Sequence, residues 1–166
     1  MSLLIDAKGE LLADAYTSLA DDAPLPADGA VLVSLARWQS ESALLQARGA
    51  PVALHLPNTA NVLVLADALL SRPLIVIEFP TFADGRAYSQ ARLLRERLGY
   101  QGQLRAIGVA VVSDQLMMMR RVGINEFLLR DDQSLTGCRE LLLCFIAPAY
   151  QPAAGIQHSV LELRRA

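Results

Sequence analysis

The sequence predicts an α/β fold: a three-layer sandwich of flavodoxin or Rossmann type, with a mostly parallel central sheet of about five strands and a small N-terminal hairpin. Two observations carry this. From residue 30 onward, short apolar runs alternate with helix-length segments, and turn signals separate them. The runs are continuously apolar, as strands covered on both faces are. A truncated barrel-like arrangement is the alternative that the same alternation allows. At 166 residues, 53% hydrophobic and 19% charged, the chain can bury one full core.

Residues 1–29 read as an accessory segment. Leu3, Leu4 and Ile5 face Leu11 and Leu12 across Asp6-Ala7-Lys8-Gly9, which predicts the hairpin, and the acidic, Pro-rich stretch 21–29 is a connection. Residues 30–35 form a strand and 36–48 a helix, stopped by Gly49 and Pro51. Residues 52–56 are a second strand, and Asn58 or Thr59 caps a helix running to Leu70. The clearest strand, 74–79, is rich in β-branched residues and belongs near the sheet's centre. In the next helix, 84–98, Ala87, Ala91, Leu94 and Leu98 make one apolar stripe and Gly99 is the stop. Residues 104–112 are a strand, Ser113 or Asp114 caps a helix through Arg121, and 126–129 are the fifth strand. Ser134 caps a last helix with Leu135, Cys138, Leu142 and Phe145 on one face, ended before Pro148. The division is therefore 1–29, an α/β domain over 30–150, and a tail over 151–166.

Net charge is −2 and no basic block stands out, which argues against nucleic acid or an anionic membrane as partner. No apolar run reaches the roughly 18–20 residues of a membrane span, and the N-terminus lacks the pattern of a secretory signal. Cys138 and Cys144 match neither a redox nor a zinc motif and fall on different faces of one helix. A reduced, cytoplasmic protein is the expectation. His55 and His158 have no ligand-spaced neighbours, so neither metal nor cofactor is expected.

Ligands of open parallel sheets sit beyond the carboxyl ends of the strands. That edge should hold Pro57-Asn58, residues 81–86, Ser113-Asp114-Gln115 and Arg130-Asp131. The ligand-binding candidates are Asp84, Gly85, Arg86, Ser89 and Gln115. Helix N–H groups, a guanidinium, a hydroxyl and a small residue suit an anion there. The structural reading stands beside it: Asp84 as an ordinary N-cap, with Arg86 paired to Glu78 or Asp114. Glu78, a carboxylate in an apolar strand, and Asp114 are the weak catalytic candidates; a salt link to Arg86 or Arg105 is the alternative for Glu78. Met117-Met118-Met119 spans nearly a helical turn and reads as core and interface packing.

Two stretches carry a family resemblance. One is Leu25-Pro26-Ala27-Asp28-Gly29 with Leu35-Ala36-Arg37-Trp38. The other runs from Glu78-Phe79-Pro80 through Asp84-Gly85-Arg86-Ala87-Tyr88-Ser89-Gln90-Ala91-Arg92-Leu93-Leu94-Arg95 to Gly99-Tyr100-Gln101-Gly102 and Asp114-Gln115. Together they resemble the bacterial DUF934 family over about residues 3–150. The resemblance implies a cytoplasmic role in sulfate assimilation, linked to sulfite reduction, and an oxidoreductase label without a defined active site. Gln103, Val109, Val122 and Asn125 depart from the family pattern, which has Glu, Asp, Cys and Asp there.

Two functions follow. The first is an accessory or interaction protein of assimilatory sulfite reduction, with a sulfite reductase or another sulfur-assimilation enzyme as partner. The second is a small-anion-binding enzyme or oxidoreductase with its site at the C-terminal edge of the sheet. A homodimer is expected from residues 62–70, which are apolar around most of a helix.

Overall fold

A curled seven-stranded sheet organises the protein, seen here in a computed structural model that describes residues 3–144. The strands are β1 (Leu4–Asp6), β2 (Tyr16–Ser18), β3 (Ala30–Ser34), β4 (Val52–Leu56), β5 (Leu74–Glu78), β6 (Gln103–Ile107) and β7 (Glu126–Leu128). The helices are α1 (Leu35–Gln46), α2 (Ala66–Leu69), α3 (Arg86–Arg92), α4 (Ser113–Arg121) and α5 (Leu135–Cys144); α3 runs on into a π-helical turn, Leu93–Arg97. The tail over 151–166, Phe145, the stop at Pro148 and His158 lie outside the described residues.

The sheet order is β1-β7-β6-β5-β4-β3-β2, with β1 antiparallel to β7 and every other pair parallel. The sheet thus has seven strands, not about five. The two additional ones come from residues 1–29 and take the edges. At three residues each they are too short to show a pattern, and tertiary pairing makes them: Leu4 with Leu128, Tyr16 with Ala30. The expected hairpin is present beside β1, where Ile5 bridges Leu11 and the Asp6 N–H donates to the Glu10 carbonyl at 2.9 Å. Strand β5 is the middle strand, and its Ile75 and Ile77 are fully buried.

From β2 to β7 the order follows the sequence and never reverses. Right-handed crossovers that always step the same way put their helices on one side. The packing agrees. Val31, Leu54, Ile75, Ile77, Leu104 and Phe127 share one core with residues from all five helices, including Trp38, Leu69, Ala87, Leu116 and Leu142. The other face carries a separate small cluster, Ala53, Leu74 and Val76, edged by Tyr16, Leu32 and Ile107. Among the described residues no helix covers it. The three-layer expectation is therefore corrected to a sheet with helices on one face, and the crevice at which doubly wound sheets bind ligands has no counterpart in this strand order.

Two elements depart from their sequence patterns. The helix expected over 58–70 is a single turn, α2. Asn58 does not cap it, since the turn begins at Ala66 behind Leu65; the Asn58 amide donates to Asp84 at 2.6 Å, and the carbonyls of Pro57 and Ala60 accept from the buried Gln90 amide at 2.9 and 2.8 Å. Gln90 has thus taken the Ala60 carbonyl that a helix would have used. The strand expected over 104–112 ends at Ile107, because Gly108 adopts φ +113° with its Cα against Phe79. A Cβ there would stand 2.4 Å from the Phe79 carbonyl oxygen. The stripe on α3 holds: Ala87, Ala91 and Leu94 are fully buried, and Gly99 turns the chain out with φ +67°.

Candidate functional site

The turn between β5 and α3 is closed on itself. Asp84 Oδ1 accepts the Arg86 backbone N–H at 3.1 Å, and the same carboxylate takes the Arg86 guanidinium through Nε at 2.9 Å and Nη2 at 2.5 Å. Asn58 Nδ2 completes the cluster. Hydrogen bonds from the Arg86 side chain and then its backbone, with help from Asn58, hold the Asp84 carboxyl well below the ordinary carboxylate range. The positive helix end that would draw an anion already faces a carboxylate. Arg86 and Ser89 line a cavity of about 250 Å³ together with Asn58, Thr59, Asn61 and Gln90.

The remaining candidates fall elsewhere. Gln115 accepts the Tyr88 hydroxyl at 2.7 Å, and Tyr88 packs edge-on against Phe79 with ring centroids 5.0 Å apart. This ties α4 to α3 and does not present Gln115 to the Asp84 turn. Asp114 receives the Ser113 hydroxyl at 3.4 Å. Arg130 forks onto Asp132 with both contacts at 2.7 Å and lies over the Phe82 ring. Asn125, one of the departures from the family pattern, accepts the Leu104 N–H at 2.8 Å through Oδ1, a contact an Asp would make equally well.

Glu78 meets neither Arg86 nor Arg105. Its Oε2 lies 3.7 Å from His55 Nε2, with both side chains partly exposed on the helix-free face. That face holds a row the sequence reading missed. Ser34, His55, Val76, Arg105 and Glu126 are successive register partners across β3 to β7. Ser34 Oγ donates to Asp21 at 2.6 Å and accepts the Arg37 N–H at 3.0 Å, capping α1. Arg105, with its side chain 5% exposed, donates to Glu126 at 2.9 Å and to Asp14 at 3.0 Å. Asp14 stands two residues ahead of β2, so the link crosses the hollow of the curl. Burial, and secondarily the Glu126 charge, raise the Tyr16 phenol above its ordinary value.

The signal for this face was present. Each of β3 to β7 carries a polar residue within or at the end of its apolar run: Ser34, His55, Glu78, Arg105 and Glu126. Such interruptions mark a sheet with one face free of helices. At 3.7 Å the His55–Glu78 contact is too long for a hydrogen bond, and Nε2 is shielded without a partner. Among the described residues no three or more His, Cys, Asp or Glu side chains are grouped to hold a metal ion. Cys138 is buried and Cys144 exposed, both as free thiols. No helix among the described residues is long and apolar enough to cross a membrane.

A family model described as a bacterial protein of unknown function, DUF934, matches residues 53–161. The chain belongs to DUF934. Searches of curated proteins and of solved structures found no match. The matched stretch of this DUF934 chain includes His55, Glu78 and the whole Asp84–Arg86 turn, whereas Asp14, Asp21 and Ser34 precede it.

Proposed function

We propose that this DUF934 protein serves assimilatory sulfite reduction as an accessory that binds a partner enzyme, a sulfite reductase or another enzyme of sulfur assimilation, without a catalytic cycle of its own. The pathway comes from the sequence resemblance. The observation that carries the binding role is the apolar surface on the crossover between β4 and β5. Val62 is 1% exposed and anchors that segment, while Val64 is 80% exposed and Leu63 and Leu70 also face outward. Neighbouring exposed apolar side chains on one segment support contact with another protein. The same surface suits a homodimer, which Val64→Asp would disrupt in light scattering. The pathway is tested by deleting the gene and supplying sulfate, sulfite or sulfide as sole sulfur source. Growth restricted to sulfide is expected, with rescue by the parent chain and not by Val64→Asp. Equal growth on all three would overturn the reading.

The second reading is a small-anion site at the C-terminal edge of the sheet, with the anion on Arg86 and Ser89, and Glu78 or Asp114 acting on it. The cavity lined by those two residues favours it. The Asp84–Arg86 fork opposes it, since an anion must displace that carboxylate or share its guanidinium. On this reading Arg86→Ala should abolish oxyanion binding at the Asp84–Arg86 turn at little cost in stability. Loss of folding with no ligand detected would make Arg86 a strut. The oxidoreductase alternative drew only on a doubly wound fold, and the strand order gives it no support.

A further inference from the structure

The opposite end of the sheet, ahead of β4 and β5, holds a cavity of about 310 Å³ into which Arg48 and Arg72 both contribute. Its lining contains no acidic side chain. Arg37, Arg86, Arg92, Arg105, Arg130 and Arg139 each meet a carboxylate, whereas Arg48 and Arg72, like Arg95, bond to neutral oxygens.

Arg48 spends Nη1 on the Pro26 carbonyl and Nη2 on the Gly29 carbonyl, the latter at 2.7 Å, and its Nε–H is shielded from solvent with no acceptor. Arg72 turns Nε and Nη2 onto Ser71 Oγ at 3.3 and 2.9 Å, with its guanidinium 4.5 Å above the Trp38 ring. A guanidinium carries five N–H donors, so most donors of the pair are unfilled. Burial lowers the Arg72 pKa, as it does for Arg95.

We propose that this cavity is an oxyanion site, in which Arg48 and Arg72 grip a phosphate- or sulfate-type group carried on a small organic body. Two guanidiniums with no competing carboxylate supply charge-assisted, forked hydrogen bonds. Size supplies the organic body. The cavity has the volume of about ten liquid waters, far more than one inorganic oxyanion fills, and lies at the lower end of small-molecule sites. The proposal is independent of the Arg86 reading, because Arg48 and Arg72 precede β4 and β5 while Arg86 follows β5.

The test titrates the full chain with sodium sulfate, sodium phosphate and glycerol 3-phosphate at ionic strength held constant with sodium chloride, reading heat and Tm. Saturable binding with a rise in Tm is expected, tightest for glycerol 3-phosphate. Arg72→Gln should weaken it about tenfold or more, the loss expected for hydrogen bonds to a charged group. Arg72 is the cleaner variant, since Arg48 also ties down residues 26–29, and Arg48→Gln serves as the second. Arg86→Ala should leave this binding unchanged. No saturable response, or Arg72→Gln and Arg48→Gln both binding like the parent, would overturn the site. Loss of binding in Arg86→Ala alone would move the anion to the α3 turn. Equal affinity for inorganic phosphate and its ester would overturn the organic body.

Discussion

Arg105→Leu is the sharpest probe of the helix-free face. Arg105 is nearly buried, and it holds two carboxylates of unequal exposure, Glu126 at 12% and Asp14 at 44%. Asp14 can turn to water when the guanidinium goes, and an exposed pair of this kind is worth at most about 1 kcal/mol. Glu126 cannot, since β7 fixes it beside β6. Removing one partner of a buried pair costs about 3–5 kcal/mol, and the half-exposed second acid places Arg105→Leu near the lower bound. Arg105→Leu/Glu126→Leu removes the stranded charge, and such apolar replacements are neutral or stabilising. Next to the Leu74 and Val76 cluster the double variant should recover most of the loss, to within about 1 kcal/mol of the parent. Urea unfolding reads both at an unchanged m-value. In thermal unfolding the single variant should fall by about 6–12 °C. A single variant within about 1 kcal/mol of the parent, or a double no more stable than the single, would refute the buried-pair account.

Three further outcomes are expected. Gly108→Ala should cost about 2 kcal/mol or more in urea unfolding, because φ +113° is strained for alanine and its Cβ would press on the Phe79 carbonyl. The Asp84 cluster should stabilise the fold above the ordinary carboxyl pKa of about 3.9, with the contribution lost as pH falls through the depressed folded value. Asp84→Asn should accordingly be less stable than the parent at neutral pH, with the difference closing in strong acid; a gap that persists there would assign the effect to packing. A thiol reagent should label Cys144 in the native protein and reach Cys138 only on unfolding, since burial shields Cys138 and raises its pKa.

Local chemistry made much of this protein readable from its sequence. The alternation of apolar runs and helices, the central place of β5, the Ala87–Ala91–Leu94 stripe and the turns at Gly99 and Asp84 follow from propensity, spacing and backbone sterics, all of which act within a few residues. The caps expected at Asp84 and at Ser113 or Asp114 do not hold: α3 starts behind Gly85 and α4 behind Val112. The DUF934 family was legible for the same reason, as a contiguous motif. Tertiary structure decided what depends on distant partners. Strands β1 and β2 exist because β7 and β3 offer them edges. The 58–65 stretch gives its Ala60 carbonyl to Gln90 and its Asn58 amide to Asp84 in place of helical bonds. One-sided helix packing follows from strand order, which no local pattern encodes. The row of Ser34, His55, Arg105 and Glu126 was visible only as isolated polar residues in four strands, since register brings residues up to 92 positions apart in sequence into one line. Arg48 and Arg72, 24 residues apart in sequence, share a cavity because parallel pairing sets the starts of β4 and β5 side by side.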